Sequence, residues 1–238
     1  STKFPVANHS TIFISAYRNV SVRYILYSKI FQTLKTQGHQ IVIFLKDNDL
    51  EHYQKQFVGG NIFLEPVLFD QSYKQLRSGV FQRILLHIRR CMSGSNKDNE
   101  NSTDKAYFYL HEKEFSKTFK GRLMFKLIKF FALTGKKLPV FRKVILQLES
   151  WIYPGKIYDH YFKKYHPQIL ITSSIGNMID PYFMRSAKRH NCKVVSIIHS
   201  WDNPTTKDYR GADPDHVIVW NEIMKKEVNV FHDIPEDS

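Results

Sequence analysis

Apolar and polar positions fall into two rhythms along this chain. Thr11-Ile12-Phe13-Ile14-Ser15 is a short β-rich run closed by the polar turn Ala16-Tyr17-Arg18-Asn19. Val22, Ile25, Leu26, Ile30 and Leu34 then recur at helical spacing and stop at Gly38, a residue suited to a helix C-terminus. Gln40-Ile41-Val42-Ile43-Phe44-Leu45 is apolar on both faces, as a strand of a covered parallel sheet is. A polar helix over 50–57 leads through Gly59-Gly60 to a third strand at 61–64. This alternation predicts the start of a doubly wound parallel sheet.

From residue 72 the rhythm changes. Residues 72–92 read as one amphipathic basic helix, with Leu76, Val80, Ile84, Leu85 and Ile88 along one side. Residues 93–105 read as a polar loop, and 115–151 as helix interrupted near Gly135 and Pro139. The first rhythm returns with strands at 167–172, 193–198 and 216–220 and helices at 181–190 and 222–230. The expected architecture is α/β: a Rossmann-like doubly wound parallel sheet of about six strands with a basic helical insertion at 72–160.

Composition agrees with a packed fold. An apolar fraction of 42% and an aromatic fraction of 14% exclude a disordered or collagen-like chain. Cys91 and Cys192 are too few for a disulfide framework or a Cys-rich metal module, and read as reduced intracellular thiols. No apolar run approaches the roughly 18 residues of a membrane span. Charge is more telling. Lys and Arg number 35 against 22 Asp and Glu, and a net charge of +13 favours a polyanionic neighbour.

The common cofactor and metal motifs are missing. Gly59-Gly60 precede a strand instead of following one, so there is neither a dinucleotide fingerprint nor a P-loop. His111-Glu112-Lys113-Glu114 lacks the second histidine of a zinc-protease motif. No metal and no permanently bound cofactor are expected.

Ligands of open α/β sheets bind at the carboxyl ends of strands, which places loops 15–23, 172–178 and 199–211 along one edge. The third loop is the richest. His199-Ser200-Trp201-Asp202-Asn203-Pro204-Thr205-Thr206-Lys207 combines an indole, a carboxylate, an imidazole, an amide, hydroxyls and an ammonium, a mixture suited to a sugar or phosphosugar. The same stretch also reads as a polar turn in which Asp202 opens an Asx turn before Pro204. Arg18 and Arg23 flank the start of the first helix, where the dipole favours a phosphate or carboxylate; the alternative is a pair of ordinary surface arginines. Ser173 and Ser174 end the fourth strand.

The stretch from Ile197 to Lys207, followed by Asp213-Pro214-Asp215-His216-Val217-Ile218-Val219-Trp220-Asn221-Glu222, resembles the N-terminal half of bacterial GT-B-type transferases of surface-carbohydrate biosynthesis. These include relatives of CDP-glycerol glycerophosphotransferases and of UDP-sugar-dependent glycosyltransferases. Arg23-Tyr24-Ile25-Leu26 and Gly38-His39-Gln40-Ile41-Val42 are similar to the same families. The likeness covers residues 10–48 and 166–235. Where that pattern has Gly after the lysine, this chain has Asp208-Tyr209 before Arg210-Gly211.

The resemblance implies that residues 1–238 are one acceptor-side domain, with a donor-binding domain beyond them. It implies transfer of a sugar or glycerol-phosphate group from a nucleotide sugar or CDP-glycerol to a saccharide or lipid-linked acceptor. Asp202 is then the first choice as base and His199 the second. Trp201 would stack on a sugar ring, and Lys207 with Arg23 would hold anionic groups. Arg18, Ser174, Asn203 and Thr205 are further substrate-binding candidates, read from their places at the strand ends. The expected location is cytoplasmic, at the inner face of the membrane.

The insertion is a second signal. Nine Lys or Arg and no acidic residue occur between Lys117 and Gln147. Phe119, Leu123, Leu127 and Phe131 form an i, i+4 stripe beside Lys120, Arg122, Lys126 and Lys129, extended by Leu138, Val140, Phe141, Val144, Ile145 and Leu148. This pattern fits an anionic membrane surface. It equally fits a helix packed on the sheet with solvated lysines. Nucleic acid is disfavoured, because charge alone supports it and no recognition motif is present. A non-catalytic polyanion- or membrane-surface-binding module is therefore the alternative to a transferase.

Overall fold

The computed structural model describes residues 10–92, 112–113, 115–176, 179–200, 202–206 and 208–237. The expected 93–105 loop, Trp201 and Lys207 lie outside these residues. Strands β1 (Thr11–Ser15), β2 (Gln40–Leu45), β3 (Ile62–Pro66), β4 (Ile169–Thr172), β5 (Lys193–Ile197) and β6 (His216–Ile218) form one all-parallel sheet in the order β3-β2-β1-β4-β5-β6. This is the Rossmann-like doubly wound order.

Both faces of the sheet are covered, which is why the central strands are apolar throughout. Alternate residues Ile12, Ile14, Ile41, Ile43 and Ile171 pack under Val22, Ile25 and Leu26, which follow the short α1 (Asn19–Ser21), and under α2 (Lys29–Thr36) and α3 (Leu50–Phe57). Phe13, Val42, Phe44, Leu170 and Val194 face the other side. There they meet Tyr161 and Phe162 of α8 (Asp159–Tyr165) and Tyr182 and Phe183 of α9 (Asp180–Arg189). The chain closes with α10 (Glu222–His232), packed through Met224 and Val228 on Ile175 and Ile198.

The first helix departs from its expected form. After α1 it widens into a π turn at Val22–Leu26 and breaks at Ser28, whose hydroxyl donates to the Ile25 carbonyl and accepts from the Ile30 amide. The added residue shifts the helical phase, so Phe31 is buried and Ile30 is exposed.

Residues 72–92 likewise form two helices, α4 (Phe69–Arg77) and α5 (Val80–Arg90), separated where Gly79 adopts φ −109° and ψ 148°. Val80, expected on the apolar side, is exposed at this new N-terminus. Helix α6 (Phe119–Lys137) runs unbroken through Gly135, and the chain turns at Leu138 before Pro139 starts α7 (Pro139–Ile152). Pro suits that first position because its missing N–H would be unpaired there anyway. Gly135 is a packing residue instead of a break: a Cβ there would stand 2.7 Å from Met92 Cβ.

The insertion is tied to the sheet by buried charge. Arg89 of α5 pairs with Glu149 of α7 at 2.7 Å, and Arg185 of α9 reaches the same carboxylate at 3.4 Å. Tyr182 donates to its other oxygen at 3.2 Å. Burial pushes the Glu149 carboxyl up, but Arg89 and Arg185 outweigh that and hold it below the ordinary range. Arg89 also donates to the carbonyls of Gly176 and Tyr209, at 3.2 and 2.6 Å. One arginine therefore connects the insertion to the loops after β4 and β5.

Candidate functional site

The order reverses between β1 and β4, and the loops after β1, β4 and β5 meet outside their carboxyl ends. Open α/β sheets place ligands at this position. Ser15, the last residue of β1, donates to Asp180 Oδ1 at 2.9 Å. Ser174, just past β4, donates to Asp180 Oδ2 at 2.6 Å. Ser21 reaches Ser173 at 2.6 Å. Asp180 opens α9 and is wholly buried, and burial raises its pKa to about 6 despite the two serine donors and the nearby Arg18 charge.

His199 follows β5 into the same region. Its side chain is buried, and neither ring nitrogen has a hydrogen-bond partner among the described residues. Tyr24 lies parallel over the ring at 5.7 Å, and Trp220 meets Tyr24 edge-on at 6.1 Å. Burial, then the Arg18 charge, lowers the imidazole pKa to about 4. His199 is therefore neutral at pH 7. Arg18, at the N-terminus of α1, is half-buried and lines a cavity with Ser174, Ile175, Gly176, Ile198, Asn203 and Asp208. That cavity measures about 20 Å³, room for about one water.

The remaining candidates sort differently. Asp202 accepts from Ser200, and its backbone carbonyl receives both the amide and the hydroxyl of Thr205, so it opens the single helical turn Asn203–Thr206. The Thr205 hydroxyl is thereby engaged within its own turn. Arg23 lies within the π turn and is exposed, one residue before Tyr24. It shares the edge of the sheet with His199, and neither of the two lines the cavity.

Several contributors were not singled out in the sequence. Asp180 precedes Pro181, a helix-start signal, yet nothing local marks it as buried. Tyr24 and Trp220 stand in the resembling segments without a role of their own. The loop after β5 is fastened from behind: His232 donates to the Pro204 carbonyl at 2.8 Å and accepts from the Arg210 amide at 3.2 Å. Asp233 receives Arg142 through two bonds of 2.6 and 2.5 Å and the Tyr209 hydroxyl at 2.7 Å. Arg90 pairs with Asp208 at 3.0 Å.

No family model, curated protein or solved structure matches this chain. What the sheet order and the loop geometry establish is the Rossmann-like α/β fold with a polar cluster at its switch point.

Proposed function

We propose that this domain is the acceptor side of a transferase that moves a sugar or glycerol-phosphate group from a nucleotide-activated donor to a saccharide or lipid-linked hydroxyl. The observation that carries the reading is His199: buried at the switch point close to Arg18, with no hydrogen-bond partner on either ring nitrogen among the described residues and with its pKa lowered by burial. In the reaction the acceptor O–H proton passes to a His199 nitrogen. The acceptor oxygen bonds to the anomeric carbon or phosphorus, and the nucleotide leaves with the electron pair. An imidazole held near pH 4 is a weak base, but an anionic group bound at Arg18 cancels one of the two influences that lower it. This arrangement favours His199 over Asp202, whose groups serve the turn.

Tyr24 and Trp220, both exposed at this edge, offer aromatic faces to a sugar ring. Because the cavity holds only a water, a substrate meets Arg18 and Asn203 at its mouth or displaces the 203–206 turn.

The test is turnover by the natural full-length protein with UDP-glucose, UDP-N-acetylglucosamine and CDP-glycerol, followed by release of nucleotide. Loss of a general base typically lowers kcat by about 10²–10⁴-fold, and His199→Gln should do so while Asp202→Asn stays within about threefold. The reading fails if His199→Gln turns over at the wild-type rate, or if no donor is consumed.

A further inference from the structure

Helix α6 is apolar on two opposite sides. Phe125, Ile128, Ala132 and Gly135 form the side buried against the rest of the insertion. At 100° per residue, Phe119, Leu123, Leu127 and Phe130 fall on the reverse side, facing water, and Phe119 and Phe130 are 77% and 63% exposed. The outer side of α7 repeats this with Val140, Val144 and Trp151, at 74%, 48% and 70% exposure. Phe131 of α6 stacks on Phe141 of α7 with ring centroids 6.0 Å apart. On the helical wheels this pair lies between the two outer stripes and joins them into one surface. Isolated exposed apolar residues are ordinary, but a continuous face of this kind marks an interaction surface.

We propose that this α6–α7 face docks on an anionic lipid bilayer, with α6 lying along the surface. The charge selects the occupant. Lys120, Arg122, Lys126, Lys137 and Lys143 are exposed on these two helices, and no acidic residue occurs between Lys117 and Gln147. Arg142, in contrast, is buried against Asp233, and Lys136 is half-buried. A second copy would bring the same cations against themselves, which disfavours self-association. A nucleic acid would satisfy the charge but leave the Phe119–Phe130 row in water. A bilayer with anionic headgroups satisfies both, in the manner of interfacial helices. Among the described residues no helix is long and apolar enough to cross a membrane, so contact is at the surface. Arg89 and Arg90, on the helix packed behind, hold the site loops through Tyr209, Gly176 and Asp208. Docking is therefore connected to the switch-point loops through this helix. This inference does not depend on the transferase reading.

The experiment is co-sedimentation of the chain with vesicles of phosphatidylcholine alone or with 30% phosphatidylglycerol, at low and high salt. Trp151 emission is followed in parallel, with Trp151→Phe as its control. Binding should require the anionic lipid, weaken with salt and shift Trp151 emission to the blue. Each cation near such a surface is worth roughly fivefold in affinity, so converting Lys120, Arg122, Lys126 and Lys137 to Gln should weaken binding by on the order of 10²–10³-fold with an unchanged thermal melt. Phe119→Ser with Phe130→Ser should weaken binding while leaving salt dependence. Equal binding to neutral vesicles, no binding to anionic ones, preference for a single-stranded oligonucleotide over vesicles, or a dimer dispersed by the Phe→Ser pair would each overturn the proposal.

Discussion

Acidification should loosen the loop that carries the candidate site, and His232 should be one of the groups responsible. The imidazole is wholly buried and lies parallel to Tyr209 with centroids 5.9 Å apart. As a neutral ring it donates from Nε2 to Pro204 and accepts at Nδ1 from the Arg210 amide. Protonation destroys the acceptor and adds a charge beside Arg210 and Arg142, opposed by Asp233. Burial is the largest influence, and the pKa falls from 6.5 to about 4. A histidine whose folded pKa lies below its unfolded value is neutral in the native state where the unfolded chain already binds a proton. The stability associated with this group is therefore complete above pH 6.5 and is lost as pH falls towards 4. Between pH 7.5 and 5 the loss works out at about 2 kcal/mol, from roughly 1.4 kcal/mol per pKa unit separating the pH from the unfolded value.

Urea denaturation at pH 7.5, 6 and 5 measures this directly when wild type is compared with His232→Gln. At pH 7.5 the variant should be less stable by about 1–3 kcal/mol, the cost of leaving buried polar groups unpaired. At pH 5 the difference should shrink by about 2 kcal/mol, because the variant has no proton to take up there. Parallel pH curves for the two proteins, or an NMR titration midpoint for His232 above pH 6, would refute the reasoning.

Two further outcomes follow from the buried charges. Glu149→Gln strands Arg89 and Arg185 without their shared anion, and removing one partner of such a buried group costs about 3–5 kcal/mol; chemical denaturation checks this, and a loss below 1 kcal/mol would show the arginines to be solvated. Asp180→Asn should stabilise the protein at pH 7.5 and not at pH 4. The folded pKa of about 6 lies above 3.8, so ionisation between those values costs the native state about 3 kcal/mol, and thermal melts showing no gain at neutral pH would contradict the assignment.

The six strands were legible because each is a short apolar run bounded by polar turns, and a sheet covered on both faces demands little else. Helix interiors were harder to read. The π turn at Val22–Leu26 and the break at Gly79 shift which residues point inward without altering the spacing of apolar letters by much. The site was half legible: the edge of the sheet, His199 and Arg18 came from the loops, whereas Asp180 reads as a helix start. Nothing in the sequence singles out Arg89, Glu149 and Arg185, which stand on three separate helices. Only the packing of α5 and α7 against α9 turns them into one buried cluster.

Helix α6 shows the limit most clearly, since large apolar residues on one stripe suggest the buried side. In the fold the inner side is the one carrying Ala132 and Gly135, because small residues let the helix come close enough for Met92 to sit against Gly135. Close approach at Ala132 and Gly135 recovers contact along the line of packing that Phe125 and Ile128 continue. The bulky stripe is thereby left outward, beside the exposed lysines of the same helix.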